Sequence, residues 1–313
     1  MAELKAYTNN ANTGKSNASN NPWLRIIRCQ LGPLEEWRGK EKGLIVQFDS
    51  NGTREGLRIT ASISKTMMGM PNPSSINIYN LAADTRNAIA RCLTKCTLFA
   101  GWTNTDLQRV FSGTVISIVN ERQGPDIISK LQVLPGYGSI ARGFSSVTFG
   151  PGTPCKDAVK KLAGDLPGMQ IADGNFQGLQ GNIGRSGWSF AGPTKEGLDA
   201  LSKEYGFSWT CDDGAVKATG DTFQLGGYVE LNGEDGGLIN ITPTFEGPMA
   251  IQTGVNIKAI YVPGITVGST VKVNSKLNST YNGTYKVHQM NISMDAYSDS
   301  WTMDITSRRF SLF

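Results

Sequence analysis

The chain contains one histidine, which limits the chemistry that its side chains can perform. A histidine acting as a catalytic base needs a nucleophile and an orienting carboxylate within hydrogen-bond reach. In the strand predicted around it, His288 falls on the face shared by Met290, Ile292 and Met294, which favours a structural role. A single histidine also excludes histidine-rich metal sites.

Two other pairs have spacings that occur in reactive sites. Cys92 and Cys96 would share one side of a helix, but a closed zinc site needs about four ligands and no second pair follows. Ser62 and Lys65 match a Ser-x-x-Lys spacing, yet on a strand an odd separation directs them to opposite faces. We therefore expect buried free thiols and a coincidental Ser-Lys spacing.

Acidic residues occur side by side at Glu35-Glu36 and Asp212-Asp213. Cleavage of a glycosidic bond requires two separated carboxyl groups that flank it, and adjacent acids in loops are usually solvated. No glycine-rich loop ends in Lys-Ser or Lys-Thr before a helix, which argues against nucleotide hydrolysis. The sequence thus predicts no catalytic, cofactor-binding or metal-binding residues, and no enzyme.

Composition favours a β-rich protein with more than one domain. The 313 residues are 39% apolar, enough to bury a core in each domain, and only 18% charged, with 37 glycines. The net charge of +4 is small, so sequence-specific nucleic-acid binding is not expected. Five irregularly spaced cysteines and the lack of a signal peptide indicate folding in a reducing cytoplasm. No apolar run is long enough to cross a bilayer.

Four segments follow along the chain. Residues 1–22 are rich in Asn, Thr, Ser and Gly and are predicted to form an extended arm, either ordered on a neighbouring subunit or a floppy tail. Residues 23–135 are predicted to form a β domain, with one helix near residues 82–93 and a hairpin turn at Asn51-Gly52. In this domain Leu57, Ile59, Ala61 and Ile63 alternate with polar residues, as in a half-buried strand.

Residues 136–220 are predicted to form a small α/β module. Thr153 as N-cap and Pro154 at the first helical position open one helix, whose inward face is predicted to hold Ala158, Val159, Leu162 and Leu166. Thr194 opens a second helix that ends at Gly206. A hairpin turns at Asp213-Gly214, and the glycine-rich stretch 173–187 is predicted to be a loop.

Residues 221–313 return to strands and repeat part of the first domain. Phe111–Thr114 and Tyr281–Thr284 each open a long strand, preceded by a short strand and followed by a polar turn and another strand. Two similar β domains that flank an α/β insert would give six similar units in a ring of three chains, which joins a threefold object to a sixfold one.

These residues resemble the tube domains of baseplate hub proteins from contractile-tailed bacteriophages. The motifs that resemble the first tube domain are Ile76–Leu81, Leu98–Trp102, Val110–Thr114 and Gly124–Asp126. The motifs that resemble the second tube domain are Val267–Val273 and Tyr281–Val287. The likeness covers most of residues 40–135 and 200–313, and it concerns structural patterns rather than catalytic signatures.

The resemblance implies a homotrimeric structural protein of the virion, assembled in the host cytoplasm. It would lie in the tail baseplate between the sixfold tail tube protein above and a threefold central spike protein below, next to the baseplate wedge proteins. Phage DNA would pass through its channel without sequence-specific binding. Two alternatives remain open: a peptidoglycan-directed hydrolase or binding module carried by the middle segment, and another tail ring protein.

Overall fold

The structure, a computed structural model, describes residues 24–34, 46–51, 56–90, 94–102, 106–220, 223, 225, 227–233, 237–246 and 251–309. The predicted arm, Glu35-Glu36, Gly52 of the predicted turn and Cys92 lie outside these residues. Strands account for 56% of the structure and helices for 17%. The predicted fold class, mainly β with a small α/β insert, is therefore confirmed, and the sheets are sandwich-like.

The opening third forms an antiparallel sheet. Its elements are β1 (Arg25–Leu34), β2 (Val46–Asn51), β3 (Ile59–Thr66), β4 (Ser74–Tyr79), α1 (Ala83–Ala90), β5 (Thr94–Trp102), β6 (Gln108–Gln123) and β7 (Asp126–Leu134). The strands lie in the order β3-β4-β7-β6-β5-β1-β2, and each neighbouring pair is antiparallel. The predicted alternation is confirmed in β3, where Ile59, Ala61 and Ile63 are buried.

The middle segment is the α/β module. Its elements are α2 (Tyr137–Arg142), β8 (Phe144–Phe149), α3 (Cys155–Gly164), β9 (Phe176–Gln177), β10 (Trp188–Pro193), α4 (Thr194–Tyr205), β11 (Phe207–Asp212) and β12 (Ala215–Gly220), with a 3-10 turn at Asp173–Asn175. β8 pairs with β10, and β12 lies between β11 and β9. Helices α3 and α4 share a core with β11 and β12.

Most of the local predictions for this module hold. The inward face of α3 is buried as predicted, Gly206 ends α4 in the left-handed conformation, and Asp213 and Gly214 have positive φ in the hairpin turn. The predicted start of α3 is wrong by one residue, because Pro154 occupies the N-cap position and the Thr153 hydroxyl donates to the Gly150 carbonyl instead. The loop predicted over residues 173–187 contains β9, since Phe176 is an apolar anchor buried in the core.

The closing third forms a second set of strands. Its elements are β13 (Tyr228–Asn232), β14 (Leu238–Glu246), β15 (Ile251–Ile260), β16 (Thr270–Asn274), β17 (Gly283–Asp295) and β18 (Trp301–Arg309), with a 3-10 turn at Ser279–Tyr281. These strands lie in the order β14-β15-β18-β17-β16-β13. β13 runs parallel to β16, while β14–β15, β15–β18 and β16–β17 are antiparallel.

The two sets of strands have the same spatial order. Leaving β2 aside, the first order is β1-β5-β6-β7-β4-β3 and the second is β13-β16-β17-β18-β15-β14, with corresponding strands in the same chain order. One strand differs in direction: β1 is antiparallel to its neighbour, and β13 is parallel. The repeat predicted from two short motifs is therefore present in the strand order.

Inter-residue contacts divide the chain into two compact units. Unit 1 holds the described parts of Met1–Ile63, Pro73–Leu134 and Ser293–Trp301, and unit 2 holds those of Ser64–Asn72, Pro135–Ile292 and Thr302–Phe313. These units do not test the predicted domains 23–135, 136–220 and 221–313, which stay a prediction.

Candidate functional site

Lys65, a residue of unit 2, is the last buried residue on the inward face of β3. Lys65 follows Ile59, Ala61 and Ile63 in the same alternation and is buried like them, whereas Ser62 is exposed. The predicted separation of Ser62 from Lys65 is thus confirmed, and the two side chains do not form a nucleophile and base. The alternation itself could have identified Lys65 as an inward residue.

Lys65 is one of four charged residues that form the charge cluster, together with Asp212, Asp213 and Lys217. Its Nζ lies 2.9 Å from Asp212 Oδ1 and 3.0 Å from Asp213 Oδ2. The Nζ of Lys217 lies 2.9 Å from the other carboxylate oxygen of Asp212. Each oxygen of Asp212 therefore faces a different lysine, and two positive charges balance two negative ones.

The expectation that Asp212 and Asp213 are solvated is wrong. Asp212 is only 3% exposed, because it is the last residue of β11 and points inward just before the tight turn. Asp213, in the turn, is half-buried and also faces Lys65. A buried carboxylate is costly unless it is paired, so the lysines are required for this hairpin to pack.

Asp212 and Lys65 hold their charges at neutral pH. Burial opposes ionisation of Asp212, but Lys65 and Lys217 outweigh burial and lower the pKa of Asp212 below its ordinary value. Burial likewise opposes the charge on Lys65, but Asp212 and Asp213 raise the pKa of Lys65. Burial and the neighbouring Asp212 raise the pKa of Asp213 against the pull of Lys65. Opposite charges that stabilise each other in this way favour a structural ion pair over proton transfer.

The space beside the cluster is small. A cavity of about 10 Å³ is lined by Lys65, Asp212 and Asn72, among others. This volume has room for about one water molecule, whereas small-molecule sites are roughly 300–1,000 Å³. The cavity is therefore no substrate pocket.

The remaining candidate residues are not brought together. His288 shares the parity of buried Met290 in β17, and its carbonyl accepts a hydrogen bond from the Met67 N–H at 3.1 Å. Cys96 lies next to Cys29, with 3.8 Å between the sulfur atoms, and both thiols are free and buried.

Among the described residues, no group of three or more His, Cys, Asp or Glu side chains could hold a metal ion. No helix in the described part of the chain is long and apolar enough to span a membrane.

A second set of contacts, in unit 1, holds the tip of the β17–β18 hairpin. The Nε and Nη2 atoms of Arg58 donate to Asp295 Oδ2 at 3.2 and 2.6 Å, and the Tyr297 hydroxyl donates to the Gly56 carbonyl. Arg25 donates to the Ser298 carbonyl at 2.6 Å. The Arg25 guanidinium also lies over two tryptophan rings, those of Trp102 and Trp301. We call residues 295–301 the anchored tip; no spacing in the sequence indicates these long-range contacts.

Replacing Asp295 with alanine is expected to loosen the anchored tip. Burial alone would raise the pKa of Asp295, but hydrogen bonds from Arg58 and the Tyr297 N–H lower it, so the carboxylate stabilises the fold above about pH 4. We expect a loss of about 1–2 kcal/mol, since Arg58 is partly exposed, and faster amide exchange over residues 295–301. Asp304→Ala, at an exposed position of β18, is the control. Equal effects of the two substitutions would contradict the anchoring role.

Solved structures with this fold are phage tail and related secretion proteins. A 43 kDa tail protein of prophage MuSo2 from Shewanella oneidensis has a TM-score of 0.57 at 11% identity, over 91% of this chain and 96% of that one. A tail protein from Neisseria meningitidis MC58 has a TM-score of 0.57 at 10% identity, with the same coverage of both chains.

A third structure comes from a bacterial secretion apparatus. This E. coli component of the type VI secretion system, described as similar to the T4 bacteriophage tail proteins gp27 and gp5, has a TM-score of 0.54 at 10% identity, over 82% of this chain and 74% of that one. The fold is therefore of the phage tail hub class.

Comparison of the sequence with family models identifies the family. A family model described as baseplate hub gp41 matches residues 43–306, and the chain belongs to that family. No curated protein sequence matches the chain. Family membership makes the protein a structural component of a phage tail baseplate, as the resemblance of the tube-domain motifs predicted.

Proposed function

We propose that the protein is a non-enzymatic, homotrimeric baseplate hub that joins the sixfold tail tube to a threefold central spike. The repeated strand order carries this proposal: each chain contains two sets of strands in matching order, so three chains present six similar strand sets. Such a ring matches sixfold symmetry on one side and threefold symmetry on the other.

The partners follow from this position. The tail tube protein stacks above the ring, the spike protein lies below it, and other baseplate and wedge proteins surround it. Phage DNA passes through the central channel without sequence-specific contacts, which agrees with the small net charge of +4. The particle assembles in the cytoplasm of the bacterial host.

The test is the mass and symmetry of the purified protein, alone and co-expressed with its spike. We expect light scattering to give three times the 33.7 kDa chain mass, and electron-microscopy averages to show a ring with pseudo-sixfold symmetry. A stable monomer that ignores both spike and tube protein would overturn the proposal. A true sixfold ring would instead identify another tail ring protein, and clearing of peptidoglycan in a turbidity assay would identify a hydrolase.

A further inference from the structure

The two strand sets, which we call the first and the second sheet, correspond residue by residue around their long hairpins, β6–β7 and β17–β18. In both hairpins the first strand contains a Gly-Thr pair. This pair lies opposite two residues of the neighbouring strand, the first of which is lysine. The opposing pairs are Cys96 with Gly113, Lys95 with Thr114, Val273 with Gly283, and Lys272 with Thr284. Next to the second strand of each hairpin, the last residue of the neighbouring strand makes an equivalent hydrogen bond. The Tyr79 N–H donates to the Arg58 carbonyl, and the Ile260 N–H donates to the Gly237 carbonyl. A position in one sheet can therefore be assigned to its counterpart in the other.

Part of the first sheet is covered by the anchored tip. Arg58 precedes β3 and Tyr79 ends β4 at one end of the sheet, whereas Trp102 ends β5 at the other end in strand direction and packs on Trp301 of the tip. The Arg58 guanidinium lies over the Tyr79 ring, 5.0 Å from its centroid, and binds Asp295 of the tip. The cover is thus a hairpin tip held by charge pairing and aromatic contacts.

The corresponding part of the second sheet exposes apolar side chains. By the correspondence above, the counterparts of Arg58, Tyr79 and Trp102 are Gly237, Ile260 and the segment after β16. Ile260 is 40% exposed, Ile239 is 51% exposed and Leu277 is 89% exposed. Asn232, which pairs with Asn274 just before that segment, has a buried Oδ1 with no hydrogen-bond partner among the described residues. We call Gly237, Ile239, Ile260 and Leu277 the open sheet end.

The β6–β7 hairpin has a tip that nothing described in the chain covers. Strand pairing continues to Gln123 and Asp126, so the hairpin is ordered to its turn. Residues 120–125 are exposed, and Val119 beside them is 49% exposed. We call residues 119–126 the projecting tip; it is the counterpart of the anchored tip.

We propose that the projecting tip of one copy of this chain covers the open sheet end of the next copy. This inference rests on the proposed trimer and names its contact. The anchored tip shows which surface such a tip binds, and the described residues of each chain leave one tip and one such surface uncovered. The contact is head-to-tail, so it closes only as a ring in which every tip and every end is used. Covering Ile239, Ile260 and Leu277 removes apolar surface from water, which stabilises the ring.

Cross-linking between two differently tagged copies tests the contact. One copy carries Gln123→Cys and the other Leu277→Cys, and a short bismaleimide is added to the co-expressed protein. We expect a cross-linked species that bears both tags, and covalent trimers when a single chain carries both cysteines. The unsubstituted chain, treated alike, is the control because its described thiols are buried. A trimer by light scattering that gives no cross-link, or one only within a single chain, would overturn this contact but not the hub; a monomer would overturn both.

Substitutions give a second readout. Val119→Asp in the projecting tip and Ile239→Asp at the open sheet end should each weaken trimer association at least about tenfold. The matched control is Phe144→Asp, at a 65% exposed position of β8 in the α/β module, which should leave association nearly unchanged. Thermal melting of the dissociated chains shows whether each variant still folds. Equal weakening by all three substitutions would refute the assignment.

Discussion

Replacing Asp212 with alanine should lower the free energy of unfolding by about 3–5 kcal/mol, the cost of breaking a buried ion pair from one side. The substitution leaves Lys217 without its carboxylate partner at 2.9 Å and leaves buried Lys65 with Asp213 alone. Because Lys65 belongs to the segment 64–72 and Asp212 to the β11–β12 hairpin, the loss should detach that segment from the α/β module. Urea unfolding measures the change.

A comparison with an exposed ion pair makes this result specific. Glu230→Ala breaks the exposed Lys272–Glu230 pair in the same unit and should cost at most about 1 kcal/mol. An equal loss for both variants would contradict a special role for the buried cluster.

The free energy of unfolding should also depend on pH through the charge cluster. The folded pKa of Asp212 is lowered, so its contribution is complete above about pH 4 and declines as the pH falls toward the folded pKa. Asp213, with a raised pKa, has the opposite sign: its charge destabilises the fold above that pKa, and the carboxyl is protonated first on acidification. The difference in stability between the wild type and Asp212→Asn should therefore shrink below about pH 4. A difference that stays constant to pH 2 would refute this electrostatic account.

Replacing Trp209 with alanine should cost about 3–5 kcal/mol through lost packing. Trp209 is fully buried in the core of the α/β module, and its Nε1 donates to Asp199 Oδ1 at 2.9 Å. The indole also lies against Gly69 so closely that a Cβ at that position would be 2.5 Å from the ring. Trp209→Phe keeps most of the volume and should cost roughly 1–2 kcal/mol for the lost hydrogen bond.

A double-mutant cycle with Gly69 tests that close approach. Gly69→Ala alone should cost about 1–3 kcal/mol, because the added methyl group displaces the indole. In the Trp209→Ala background the same methyl group enters vacated space and should cost almost nothing, so the two changes are strongly non-additive. Additive costs in urea unfolding would show that Gly69 and Trp209 do not pack as described.

Local patterns in the sequence predicted much of the fold. The alternation in β3, the buried face of α3, the stop at Gly206 and the turn at Asp213-Gly214 all depend on residues close together in the chain. The meanders β5-β6-β7 and β16-β17-β18 also followed from two short motifs, because each pairs strands that are consecutive in sequence. Local pattern missed several elements: β1, α2, β8, β10, β13, β14 and β15 were not predicted, and β9 has two residues, too few to show a period.

The charge cluster and the anchored tip were decided only by the tertiary structure. Lys65 and Asp213 are 148 positions apart, and Arg58 and Asp295 are 237 apart. Periodicity states which face of an element is buried, but not which distant residue meets it there, and an acidic pair in a turn is solvated unless a cation is brought to it. The sequence alone determined those elements with a clear period, their buried faces and the two similar meanders. The packing of segments distant in the chain determined which charges are buried together, which hairpin tip is held and which stays exposed.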